Sequence, residues 1–105
     1  MYDLKWSPPE KKIARAAFDE ARDIALAKVM TEFKAKANAA ATPFDMWKIE
    51  DYLREQRREI NEMFDYRYSQ LPLIFARLVR EEYLDERLLA GLSDDKRQII
   101  RSILS

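Results

Sequence analysis

Histidine and cysteine are both absent from the 105 residues. The chemistry open to this chain therefore rests on 19 Asp and Glu, 19 Lys and Arg, five Tyr and two Trp. The commonest general base, the commonest metal ligand and the thiolate nucleophile are all missing, which excludes catalytic triads, zinc sites and disulfide frameworks. Carboxylates can hold two metals inside a helical bundle, but the usual motif pairs each Glu with a His three residues on. The adjacent acids Glu81-Glu82 and Asp94-Asp95 read instead as solvated ends and helix-start charges. No catalytic residue, metal or cofactor is expected, and a carboxylate metalloenzyme survives only as a reading that bound iron or manganese would support. The one glycine, Gly91, cannot build a dinucleotide fingerprint or a phosphate-cradling loop, and it supplies almost none of the positive-φ turns that hairpins need.

Arg54, Arg57, Arg58, Arg67, Arg77 and Arg80 are the other chemically capable set. Acids lie between them and the formal net charge is zero, so most are neutralised locally and nucleic acid is not an expected partner. Trp47 is more informative. On a helical wheel at about 100° per residue it points roughly 140° away from the apolar seam of its own segment. Asp51, Arg54 and Arg58 lie along the same side, with Glu50 and Arg57 on its border. Trp and Arg are the types most enriched at interface hot spots, which makes this face a candidate protein interface. The alternative is that Trp47 packs on another part of its own chain and the charges form a solvated ladder.

The elements that must position these residues are helical. Apolar residues make up 48% and charged residues 36% of the chain, interleaved as in amphipathic helices. Ser7-Pro8-Pro9-Glu10 is a capping box with proline in the first turn, so a first helix starts there and runs unbroken to about Ala39. Ala14, Phe18, Ala21, Ala25 and Val29 form its central stripe. At about 1.5 Å per residue such a helix overhangs a compact domain of this size, and a second copy of the chain is the expected cover. Thr42-Pro43-Phe44-Asp45 repeats the start signal for a second helix, Pro43 to Met63. Its Met46, Ile49, Leu53, Gln56, Ile60 and Met63 follow 3-4 spacing and are expected to pack against the first helix. Phe64, Tyr66 and Tyr68 follow in a junction where buried hydroxyls are expected to tie the turn. Leu71 to Val79 is the most apolar segment, with Pro72 in its first turn. A short piece, Asp85 to Ala90, stops at Gly91, and Ser93-Asp94-Asp95 caps a last helix to Leu104.

The whole reads as one all-α domain over residues 1–105: a long amphipathic N-terminal helix packed on a second long helix, a small C-terminal helical head, and an elongated dimer. No apolar run approaches roughly 18 residues, and Met1 to Trp6 mixes acid and base without an apolar stretch. A cytoplasmic protein without membrane insertion is expected.

Residues 45–80, DMWKIEDYLREQRREINEMFDYRYSQLPLIFARLVR, resemble the fluorescence recovery proteins of cyanobacteria, small all-helical dimers that act on the orange carotenoid protein. The likeness continues in Leu89-Ala90-Gly91-Leu92 and Asp95-Lys96. It implies a non-enzymatic regulator that speeds return of the red, quenching carotenoid protein to its orange form and its release from the phycobilisome. It also implies that Trp47, Glu50, Asp51 and Arg54 serve the dimer, while Arg57, Arg58, Leu73 and Phe75 serve the carotenoid-protein contact. Three positions depart from the family pattern. Glu50 stands where His is usual, Glu82 replaces a glycine after Arg-Glu, and Leu73 replaces an aromatic of the head. The alternative is a divergent dimeric helical scaffold for an unrelated cytosolic protein.

Overall fold

The computed structural model describes residues 4–105. Met1–Asp3, part of the N-terminal stretch read as lacking an apolar leader, lie outside the described residues. Four α-helices follow in order: α1 (Pro8–Ala39), α2 (Pro43–Met63), α3 (Leu71–Arg80) and α4 (Asp94–Leu104), with a 3-10 helix (Glu86–Leu89) between the last two. Among the described residues there is no strand. Both long helices begin where their caps require. Ser7 Oγ accepts from the Glu10 N–H and the Glu10 carboxylate accepts from the Ser7 N–H. Thr42 and Asp45 form the same reciprocal pair at α2.

Small side chains decide where the packing is tight. Ala14, Ala17, Ala21 and Ala25 bring the backbone of α1 close to its neighbours, with Phe18 as the one large buried ring among them. Ala14, Ala17, Phe18 and Ala21 meet Met63, Leu71, Phe75, Leu78, Leu84, Leu89, Leu92 and Ile100 in one core. The core therefore sits at one end of the molecule, between the first half of α1 and the head formed by α3, the 3-10 helix and α4. From there the α1–α2 hairpin projects, giving extents of 53 × 26 × 23 Å and a radius of gyration of 16.7 Å. A compact chain of this length would have a radius of about 13 Å.

That projection corrects the reading of the α2 seam. Only Ile60 and Met63 are buried; Met46 is 55% and Leu53 37% exposed. Towards the Met46 end the two helices have only each other, and two helices alone cannot enclose a seam. The junction after α2 also differs from expectation. Tyr66 buries its hydroxyl without a protein partner among the described residues, and the turn is held by backbone bonds from the Arg67 N–H to the Asp65 carbonyl and from the Gln70 N–H to the Arg67 carbonyl together with stacked rings. Phe18 stands edge-on to Phe64 and Tyr66, at 5.4 and 4.9 Å between centroids, and Trp6 stacks at a tilt on Tyr68. Arg15 lies over Tyr66 and Lys11 over Tyr68.

Two turns depend on special backbone. α3 ends in a Schellman arrangement in which the Tyr83 N–H donates to the Leu78 carbonyl and the Glu82 N–H to that of Val79. Its pivot is Glu82, at φ 65°, where a side chain is strained. Gly91 has no positive φ. Its role is close approach, since a Cβ there would stand 2.4 Å from Ile13 Cδ1.

Candidate functional site

Helical periodicity places Trp47, Asp51, Arg54 and Arg58 on one side of α2, turned away from α1. Trp47 is 59% exposed, so it does not pack on its own chain. Phe44, one turn before, is 64% exposed with Lys48 over its ring at 4.9 Å. Glu50 and Arg54 pair at 2.5 Å across one turn, and Arg58 pairs with Glu55. Both pairs are exposed, so they orient side chains more than they stabilise the helix. Asp51 and Arg57 are exposed and have no ion pair among the described residues.

Arg57 stands between two hollows. One, of about 300 Å³, runs towards α1 and is lined by Arg22, Leu26, Val29, Leu53, Ile60 and Arg57 itself. The other, on the outer side, is bounded by Glu50, Leu53, Arg54 and Arg57. An unpaired guanidinium beside partly apolar walls suits a partner that brings both a carboxylate and apolar side chains. On α1, Leu26 and Met30 are spaced four apart and are exposed, as are Met46 and Leu53 on α2. The hairpin thus carries large apolar side chains that its own chain leaves uncovered.

The projecting hairpin is nevertheless held in register. The Tyr52 hydroxyl donates to Glu32, and Lys36 lies over the Tyr52 ring at 4.7 Å. Burial and the Glu32 carboxylate push the Tyr52 phenol up to about 12, so the donor stays protonated at neutral pH.

In the head, Leu73 is half-buried and Arg77 exposed, whereas Phe75 is completely buried in the core. This corrects the expectation that Phe75 touches a partner. On α3, position 75 lies inside the core of the head, and a side chain there acts through packing alone. The structure does not bring Leu73 together with the α2 residues into one compact site; they lie along an extended surface.

Sequence reasoning missed the tie between Glu10 and Lys96. Lys96 is only 4% exposed. Its ammonium meets Glu10 Oε2 at 3.0 Å, donates to the Lys5 carbonyl at 2.6 Å, lies 3.2 Å from Ser93 Oγ and sits over the Trp6 ring. Glu10 also accepts from the Ser93 N–H at 2.9 Å. Ser93 makes no side-chain cap at α4; the part that a third-position acid plays in a capping box, accepting from the N-cap N–H, is taken by a carboxylate from α1, 83 residues away. The available signal was Lys96 itself, a cation at the third position of α4 where a capping box would place an acid. The Ser7 and Ser93 N–H groups and then Lys96 hold the Glu10 carboxyl down at about 2.

Among the described residues no group of three or more Asp and Glu could hold a metal, and no helix is long and apolar enough to cross a membrane. The sequence model of a family described as photoprotection regulator fluorescence recovery protein matches residues 6–104. The chain belongs to that family. It is 31% identical over 101 residues to the fluorescence recovery protein of Synechocystis sp. PCC 6803, covering 96% of this chain and 93% of that one. The solved structures agree. The Fremyella diplosiphon fluorescence recovery protein superposes with a TM-score of 0.89 at 31% identity, covering 94% of this chain and 97% of the other. The Synechocystis protein gives 0.89 at 30% identity with the same coverage. The all-helical fold and a role as a photoprotection regulator follow from that membership.

Proposed function

We propose that this protein works as a homodimer without catalysing any bond change. It binds an orange carotenoid protein, accelerates reversion of the red form to the orange form, and promotes release from the phycobilisome, ending non-photochemical quenching. The observation that carries this reading is family membership across nearly the whole chain, on a fold that leaves Trp47, Asp51 and Arg57 open to partners. The uncovered Leu26, Met30, Met46 and Leu53 on the projecting hairpin support a second copy as their cover, with Trp47, Glu50, Asp51 and Arg54 at its edge. Arg57, Arg58 and Leu73 then face the carotenoid protein. The chain acts as one helical unit in the cytoplasm and needs no cofactor.

The mechanism is differential binding. A regulator that binds every state equally changes neither rate nor population, so the surface must fit the barrier, or an intermediate on the way to orange, better than it fits the red form. A tenfold acceleration requires only about 1.4 kcal/mol of such preference, within reach of one charge-assisted contact at Arg57. Glu50 is already engaged by Arg54, which limits its repulsion of an acidic partner.

Mixing the protein with red carotenoid protein in the dark and following the absorbance return tests the proposal. Acceleration that Arg57→Leu reduces, with dimer mass unchanged, is the expected result. An unchanged return rate at saturating protein refutes the photoprotective assignment. Capture of a different specific protein from the host would then favour the scaffold reading.

A further inference from the structure

We infer that the head carries a second, separate binding site, a pocket for a small carboxylate with an apolar body. It lies between the 3-10 helix and α4, on residues that the proposed dimer and carotenoid-protein contacts do not use. The hollow encloses about 200 Å³. Its apolar walls include Leu89 and Ile100, both almost completely buried, and three guanidinium groups, Arg87, Arg97 and Arg101, line it together with a single acid, Glu86.

The three arginines differ in what already holds them. Arg87 is gripped by Asp85 through several hydrogen bonds, and Arg101 Nε donates to Glu86 Oε1 at 3.1 Å. Arg97 is not so engaged. Among the described residues its nearest carboxylate, Asp94, stands 3.8 Å away, beyond hydrogen-bonding reach. A half-buried guanidinium with uncommitted donors above an apolar floor is the arrangement that reads a carboxylate on an apolar stem. Asp85 and Asp94 do not line the hollow but stand beside Arg87 and Arg97, so recognition of a carboxylate rests on the free donors of Arg97 and not on a net charge. The volume admits one side-chain-sized body, either a free aliphatic or aromatic acid or the carboxylate end of a chain with an apolar last residue. The inference holds whether or not the protein serves a carotenoid protein.

Phenylacetate titrated into the ¹⁵N-labelled full chain tests it. The expected result is saturable shifts confined to residues 86–90 and 97–101, with a dissociation constant on the order of 1 mM. The neutral analogue phenylacetamide should bind at least about tenfold more weakly, and Arg97→Gln should weaken phenylacetate by a similar factor. Glu86→Gln should tighten it about twofold or more, because it frees Arg101. That gain needs an intact fold and separates binding from damage. Non-saturating shifts, shifts located elsewhere, equal binding of the amide, or indifference to both variants overturns the inference. N-acetyl-alanyl-phenylalanine distinguishes the two sources: binding about tenfold tighter than phenylacetate assigns a chain terminus, and equal or weaker binding assigns a free acid.

Discussion

Glu10→Gln tests the clasp between α1 and the head. The substitution preserves shape and one carbonyl-type acceptor but removes the charge that two backbone N–H groups and one ammonium now share. Hydrogen bonds to a charged acceptor contribute about 1.5–3 kcal/mol, against about 0.5–1.5 for neutral ones, so the Ser7 and Ser93 bonds together lose about 2. Lys96 also loses its counter-charge while 4% exposed. Removing one member of a buried pair costs about 3–5 kcal/mol. Lys96 keeps the Lys5 carbonyl, Ser93 Oγ and the Trp6 face, which offsets part of that. These contributions overlap, because the same pocket relaxes once, and the net expectation is a loss of about 3 kcal/mol. Urea unfolding followed by circular dichroism at pH 7 and fixed protein concentration measures it. Lys96→Met should cost less than Glu10→Gln, and adding it to Glu10→Gln should recover about 1 kcal/mol or more by removing the orphaned ammonium. A loss below about 1 kcal/mol for Glu10→Gln, or strict additivity of the pair, refutes the clasp. The pH dependence has a definite sign. The Glu10 carboxyl is lowered from 4.5 to about 2, so the unfolded chain binds its proton first. Its contribution is complete above the unfolded value and is lost as pH falls from about 4.5 towards 2. Glu10→Gln should flatten that acid limb.

Three further outcomes follow from other parts of the structure. Glu82→Gly relieves the side chain at φ 65° and should stabilise the protein by about 0.5–1 kcal/mol after the extra unfolded-state entropy is subtracted, visible as a melting temperature raised by several degrees. An unchanged or lower melting point would mean that Glu82 is not strained. Trp47→Ala and Asp51→Leu should each weaken self-association in sedimentation while leaving helix content nearly intact, because neither residue lies in the buried core; unaltered mass for both moves the interface elsewhere. Arg57→Leu should reduce carotenoid-protein binding more than self-association, and a titration showing the opposite order reverses the roles assigned to the two sides of α2.

The helices were legible because their signals are local. Both long helices start at a reciprocal cap and a first-turn proline, and the absence of breakers from Ile13 to Ala39 sets the length of α1. The outward turn of Trp47 was legible for the same reason, since a 100° step fixes which side of α2 it occupies. The family resemblance rested on spacings within residues 45–80.

Tertiary structure alone decided which of two equivalent apolar positions became core. Met46 and Ile60 share the same seam, yet Met46 is 55% exposed and Ile60 9%, because the head covers only the end of the hairpin that Ile60 occupies. Helical periodicity specifies a face, and burial depends on whether another layer reaches that height along the axis. Phe75 inverted in the opposite direction, from expected contact to complete burial, because the head core closes around it. Glu10 is the clearest case of information beyond sequence neighbours. Its spacing to Ser7 announced one cap, but its service to Ser93 and Lys96 exists only because folding brings residues 83 and 86 positions away to the same carboxylate.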